Sequence, residues 1–112
     1  MGMSIKTRTL KKIPVLSING RIINVDAEKF KSKLEEFCGK KQAKVVVDFS
    51  QADFIDSFGL GTLVGFHTQM QKAGRELVIL NTNPNPMGYI KRLFEMTSLD
   101  TIFHIVTEED EV

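Results

Sequence analysis

A chain of 112 residues that is 42% hydrophobic and carries a net charge of +1 has the length and apolar content of one compact domain with a modest core. No apolar run approaches the roughly 20 residues that span a bilayer, and the opening Met1-Gly2-Met3-Ser4-Ile5-Lys6-Thr7 lacks the apolar core of a signal peptide. The charge is uneven: residues 1–44 hold 11 Lys/Arg against 4 Asp/Glu, and residues 45–112 hold 4 against 10. The lysines are spread over strand-like runs and a helix face without interleaved aromatics, so they read as solvated surface rather than a nucleic-acid footprint. Cys38 stands alone, which rules out an internal disulfide and a structural zinc site, and it reads as a packed residue. The expectation is a cytoplasmic, single-domain protein of core residues 5–106 with an acidic tail at 107–112, and with neither nucleic acid nor membrane as a partner.

In chain order, residues 5–10 and 13–18 alternate in hydropathy around Lys11-Lys12, which predicts an antiparallel hairpin with Pro14 at an edge or strand start. Residues 20–24 read as a loop into a first helix, with Asn24 as its N-cap and Asp26 and Glu28 suited to the helix dipole. Ala27, Phe30, Leu34 and Phe37 recur at helical spacing, and Gly39 marks the stop. Residues 45–49 form an apolar run typical of a strand buried on both faces, followed by a short polar turn. A central helix opens at Asp56-Ser57 and reaches Ala73-Gly74, and residues 76–80 form the next strand. Strand, helix, strand at this spacing is a βαβ unit with parallel strands and a right-handed crossover.

Residues 81–86 are turn-forming, with Asn85 capping a third helix and Pro86 at its first position. Ile90, Leu93, Phe94 and Thr97 share one face of that helix. Residues 102–106 read as a last strand, and Glu108 to Glu111 as a mobile acidic tail. The fold class is α/β: a mixed, mostly parallel sheet of about five strands with three or four helices, in the order β-β-α-β-α-β-α-β.

The stretch around Asp56-Ser57 asks for more than a capping role. Asp and Ser are both favoured N-caps. Gly59, Gly61 and Gly65 follow within the first turns, and a glycine inside a helix costs roughly 1 kcal/mol relative to alanine. At about 100° per residue, Leu60, Leu63, Val64, His67 and Met70 share an apolar face, and Phe58, Gly61, Thr62, Gly65 and Gln69 share the other. The projection keeps the glycines off the core side, as a side-chain-poor strip that another backbone can approach. Phe58 stands at one end of that strip, and Phe66 also lies off the buried face. The other use of such a strip is close packing within the same chain.

An enzyme is not expected. A serine nucleophile needs a base within hydrogen-bond reach, yet His67 lies about 15 Å along the same helix and projects to its apolar side. His104 falls in a strand. The glycine spacing fits neither a dinucleotide fingerprint nor a phosphate-binding loop, and no cluster of metal ligands appears. No catalytic residue, metal or cofactor is assigned.

Asp56-Ser57-x-Gly59-Leu60-Gly61-x-x-x-Gly65 resembles the signature of the STAS domain and, more closely, that of the bacterial anti-sigma factor antagonists. The resemblance extends over residues 5–106. It implies a STAS-like fold in which Ser57 is phosphorylated by a serine kinase that is itself the anti-sigma factor. It further implies a serine phosphatase as second partner and release of a sigma factor. The partner-binding residues expected are Asp56, Gly59, Gly61, Thr62, Gly65 and Asn24, on a monomer or weak dimer, with Phe58 added as a large apolar side chain on an outward face that serves as a binding anchor or else folds over a neighbour in the same domain. Ile23 stands where the family commonly has an aspartate, Phe58 where it has a small hydroxyl residue, and Ser98 where it has the glycine of Thr-Gly-Leu. Two other uses remain open: an unphosphorylated STAS subunit of a lipid-transport or signalling complex, and a module that binds an anion or nucleotide at the helix N-terminus.

Overall fold

A computed structural model describes residues 2–39, 42–83 and 88–112, without the side chain of Cys38. The expected packing of Cys38 and the Asn85-Pro86 cap therefore lie outside the described residues. Strands β1 (Ser4–Leu10) and β2 (Ile13–Ile22) form the antiparallel hairpin. Lys11 and Lys12 both have positive φ, 53° and 67°, the backbone of a two-residue turn whose twist matches the strands. Pro14 occupies the second position of β2, ahead of Val15, where pairing with the next strand begins, so its missing N–H breaks no ladder.

Helix α1 (Val25–Gly39) buries Ala27, Phe30, Leu34 and Phe37, as their spacing predicts. Strand β3 (Lys44–Ile55) leads to helix α2 (Ser57–Lys72), strand β4 (Glu76–Leu80), helix α3 (Tyr89–Met96) and strand β5 (His104–Val106). The sheet runs in the order β1-β2-β3-β4-β5, and every pair after the hairpin is parallel.

Two strands are longer than their sequences suggest. β2 continues through Gly20 to Ile22, where a loop is expected, and β3 continues through Ser50-Gln51-Ala52-Asp53, where a polar turn is expected. Each extension supplies the other's hydrogen-bond partners: Asn19 pairs with Gln51, Gly20 with Ala52, Arg21 with Phe54 and Ile22 with Ile55. The register slips at this point, and Gly20 takes φ +97°, a bulge that lets the ladder pass a residue unsuited to a regular strand.

The C-terminal region also departs from expectation. Leu99–Thr101 form a 3-10 turn, so β5 begins only at His104. Ser98, where the resemblance implies a glycine, is left-handed at φ 60°. The acidic tail is held in place: Glu109–Glu111 form a 3-10 turn closed by a reciprocal capping box. Arg8 reaches Glu109 at 3.4 Å, and the Lys11 ammonium donates to the Asp110 carbonyl at 2.7 Å.

Strand alternation sorts the sheet into two faces. Leu16, Ile18, Val45, Val47, Phe49, Leu77 and Ile79 meet residues of all three described α-helices in one core. Val15, Val46, Val78, Leu80 and Val106 form a smaller cluster on the other face. There the Asp48 carboxylate accepts from Arg8 at 3.3 Å, Ser17 Oγ at 3.1 Å and the Ser50 amide at 2.9 Å, which ties β1, β2 and β3 together. The helices therefore lie on one side, and the start of α2 projects beyond the ends of β2 and β3.

Candidate functional site

The site is built where those two strands end. The Asp56 amide donates to the Ile22 carbonyl at 2.9 Å, which fixes the chain as it leaves the sheet. The Asp56 carboxylate then divides its work. One oxygen accepts from the Gly59 amide at 2.8 Å, and the other accepts from the Asn24 amide at 3.0 Å. Asp56 is thus the N-cap of α2, and Ser57 is the first helical residue. Ser57 is exposed, and its hydroxyl has no hydrogen-bond partner among the described residues.

Asn24 sits next to the start of α1, but its role differs from the expected side-chain cap. Its backbone is left-handed at φ 52°, a conformation asparagine tolerates better than most residues. Its carbonyl accepts from Ala27 at 3.0 Å and Glu28 at 3.4 Å, while its amide faces Asp56. Ile23, where the resemblance implies an aspartate, is half-buried and brings no charge to the loop that leads into α1.

The glycines divide. Gly59 is buried, contrary to the helical projection: a Cβ there falls 2.9 Å from Ile55 Cγ1 and 3.0 Å from Ile22 Cγ2. A Cβ at Gly61 or Gly65 meets no atom within 4 Å. The buried stripe of α2 is Gly59, Leu63, Phe66 and Met70, with Leu60, Val64 and His67 only half-buried. Phe66 is therefore a core residue rather than an extension of the exposed patch. The stripe is turned from its predicted phase because the start of α2 presses on the ends of β2 and β3, where only a glycine fits.

Gly61, Thr62 and Gly65 line an open groove of about 870 Å³ between α1 and α2, which also takes in Ser57, Phe58 and an edge of Phe66. Lys31 and Glu35 of α1 form its opposite wall. Phe58 is 49% exposed, and the Lys31 ammonium lies 6.0 Å from the centre of its ring. Sequence reasoning missed this second wall, although the i, i+4 pair Lys31 and Glu35 on a polar helix face was its available signal. It also missed a stack at the same end of the sheet, where the Arg21 guanidinium lies 5.3 Å over Phe54 and Phe54 stacks on Tyr89 at 4.7 Å. Those contacts join two strands and α3, and no local pattern announces them.

The histidines stand elsewhere. His67 is half-buried edge-on to Phe103, at 5.4 Å between ring centres. His104 donates from Nδ1 to Glu76 at 2.9 Å near the starts of the parallel strands, the end of the sheet away from Ser57. That hydrogen bond, with the positive charges of His104 and Lys44, holds the Glu76 carboxyl below the usual glutamate range. Among the described residues no group of three or more His, Cys, Asp or Glu side chains is placed to hold a metal ion. No helix among them is long and apolar enough to cross a membrane.

The family model of the STAS domain matches residues 4–112. The chain is 30% identical over 112 residues to the anti-sigma-B factor antagonist of Listeria monocytogenes, covering 100% of this chain and 94% of that protein. Its fold is similar to the crystal structure of an anti-sigma factor antagonist from Mycobacterium paratuberculosis, with TM-score 0.84 at 20% identity over 98% of this chain and 90% of the other. It is also similar to the Bacillus cell fate determinant SpoIIAA in its phosphorylated form, with TM-score 0.68 at 18% identity over 96% of each chain.

Proposed function

The chain belongs to the STAS domain family and, within it, to the anti-sigma factor antagonists, and on that premise we propose that it captures an anti-sigma factor and so frees a sigma factor. The α1–α2 groove and the start of α2 are the docking surface, with Asp56, Phe58, Gly59, Gly61, Thr62, Gly65 and Asn24 forming or supporting it. Gly61 and Gly65 admit the partner's backbone, and Phe58 is an apolar anchor of the kind that dominates interface energetics. Gly59 and Asp56 act from beneath, by fixing where α2 begins.

The observation that carries the reading is the free Ser57 hydroxyl. Had Ser57 been the cap, its oxygen would be engaged with the helix; Asp56 takes that work and leaves the hydroxyl presented to solvent. In the switch, the anti-sigma factor acts as a serine kinase. An Oγ–P bond forms at Ser57, the bond between the γ-phosphorus of ATP and ADP breaks, and the hydroxyl proton passes to a base of the partner. A serine phosphatase reverses the step by hydrolysis. The existence of SpoIIAA in a phosphorylated form supports this reading.

Phosphate adds about −1.5 to −2 charges at neutral pH. Exposed at a helix start, those charges are hydrated and leave the fold intact. Against a docked partner they are desolvated, and an uncompensated buried charge costs roughly 3–5 kcal/mol, a hundredfold or more in affinity. The test is calorimetric titration of the anti-sigma factor with wild type, Ser57→Ala and Ser57→Asp. Ser57→Ala is expected to bind like wild type and Ser57→Asp at least roughly tenfold more weakly. Equal affinities for the two variants overturn the switch.

A further inference from the structure

Across the groove from Ser57, α1 presents the Lys31 cation. Lys31 lines the groove and is exposed, and its ammonium makes no ion pair among the described residues. Glu35, one turn further along α1, lies on the same wall without pairing to it. Instead the ammonium lies 6.0 Å from the ring centre of Phe58, the residue that follows Ser57. On the other side of the groove, the Gly59 amide, which an anion at the helix start would otherwise use, is already committed to Asp56. A phosphate on Ser57 therefore arrives beside a fixed carboxylate, with part of the helix start already taken, and the cation on the facing wall is the side-chain counter-charge available to it.

We propose that Lys31 is that counter-charge. When Ser57 carries a phosphate, the Lys31 ammonium leaves the Phe58 ring and pairs with the phosphate, which draws a bridge from α1 to α2 over the groove. The inference rests on the reading of Ser57 as the modified residue, and it adds a geometric consequence to the electrostatic one. A charge-assisted bond to a phosphate is stronger than an exposed cation–π contact, and the four-carbon stem of lysine is flexible enough to exchange one for the other. Modification then both charges the mouth of the groove and lays a side chain across it.

The test installs phosphoserine at position 57 during synthesis, so no kinase is needed, and follows the phosphorus resonance through the second phosphate ionisation, near about pH 6. The charged groups facing the phosphate are Asp56 on α2 and Lys31 and Glu35 on α1. Comparison of wild type with Lys31→Gln cancels the two carboxylates and the helix. The phosphate in wild type is expected to ionise roughly half a pH unit lower than in Lys31→Gln, with Lys31→Arg restoring the wild-type value. In the same samples the Lys31 ε-methylene protons are expected to lose the ring-current shift that Phe58 imposes on the unmodified protein. Identical phosphate titrations in wild type and Lys31→Gln, or ε-protons that keep their ring-shifted position after modification, overturn the bridge. ATP-dependent labelling of Ser57 by the anti-sigma factor tests the underlying reading separately: absence of label overturns the switch whatever the phosphorus titration shows.

Discussion

Asp56 holds Asn24. The carboxylate that caps α2 through Gly59 at 2.8 Å also takes the Asn24 amide at 3.0 Å, so one side chain fixes both the start of α2 and the loop that opens α1. The two walls of the groove are therefore registered to each other at their origin. Replacing Asp56 by alanine removes the cap and leaves the Asn24 amide to water. The expected loss is about 1–2 kcal/mol, seen as a lower denaturation midpoint with an unchanged slope. Asp56→Asn, which keeps one acceptor oxygen, is expected to lose less. A midpoint equal to wild type in Asp56→Ala would show that the shared carboxylate contributes nothing.

The three glycines of α2 differ in what surrounds them. Gly59→Ala drives a methyl to within 2.9 Å of Ile55, at the junction of strands and helix, and is expected to destabilise by about 1–3 kcal/mol. Gly61→Ala and Gly65→Ala place their methyl groups in open space, and each is expected to stabilise by up to about 1 kcal/mol. Those same methyl groups stand in the groove proposed above as the docking surface, and on that proposal both variants are expected to bind the anti-sigma factor more weakly than wild type. Paired thermal melts and binding titrations check the opposite signs.

Ser98 bears a conformational cost. At φ 60° its side chain crowds the backbone, and glycine is free of that clash. Ser98→Gly is expected to raise stability by up to about 1 kcal/mol, because relief of the strain outweighs the added freedom of the unfolded chain. Ser98→Ala keeps the Cβ and is expected to bring no such gain. Urea denaturation of the three proteins measures the difference.

Glu76 gives stability a small acid dependence. Its carboxyl is lowered from the ordinary value of 4.5, first by the hydrogen bond from His104, and further by the positive charges of His104 and Lys44. A group lowered on folding stabilises the native state above its unfolded value, and that contribution is lost as pH falls through the folded value. Glu76 is half-exposed, so solvent screens the cluster and the contribution is at most about 1 kcal/mol. Glu76→Gln is expected to melt slightly below wild type at neutral pH, and the gap is expected to close below the folded-state value. A gap that widens on acidification would reverse the sign of this assignment.

The one-dimensional record was enough for the element order, the parallel βαβ unit, the buried face of α1 and the place where α2 begins. Those features rest on near-neighbour physics: hydropathy period, capping chemistry and turn residues act within a few positions of themselves. It was not enough for the lengths of β2 and β3, because each strand's extension exists only through hydrogen bonds to the other, across about 30 residues of chain. Nor did it separate Gly59 from Gly61 and Gly65. The phase of a helix against its support depends on which side chains lie beneath, and Ile22 and Ile55 arrive there from two different strands. The acidic tail is anchored for the same reason, by Arg8 and Lys11 from the opposite end of the chain. Local chemistry wrote the serine and its helix; only the long-range packing of α1 beside α2 gave that serine a groove with Lys31 on the facing wall.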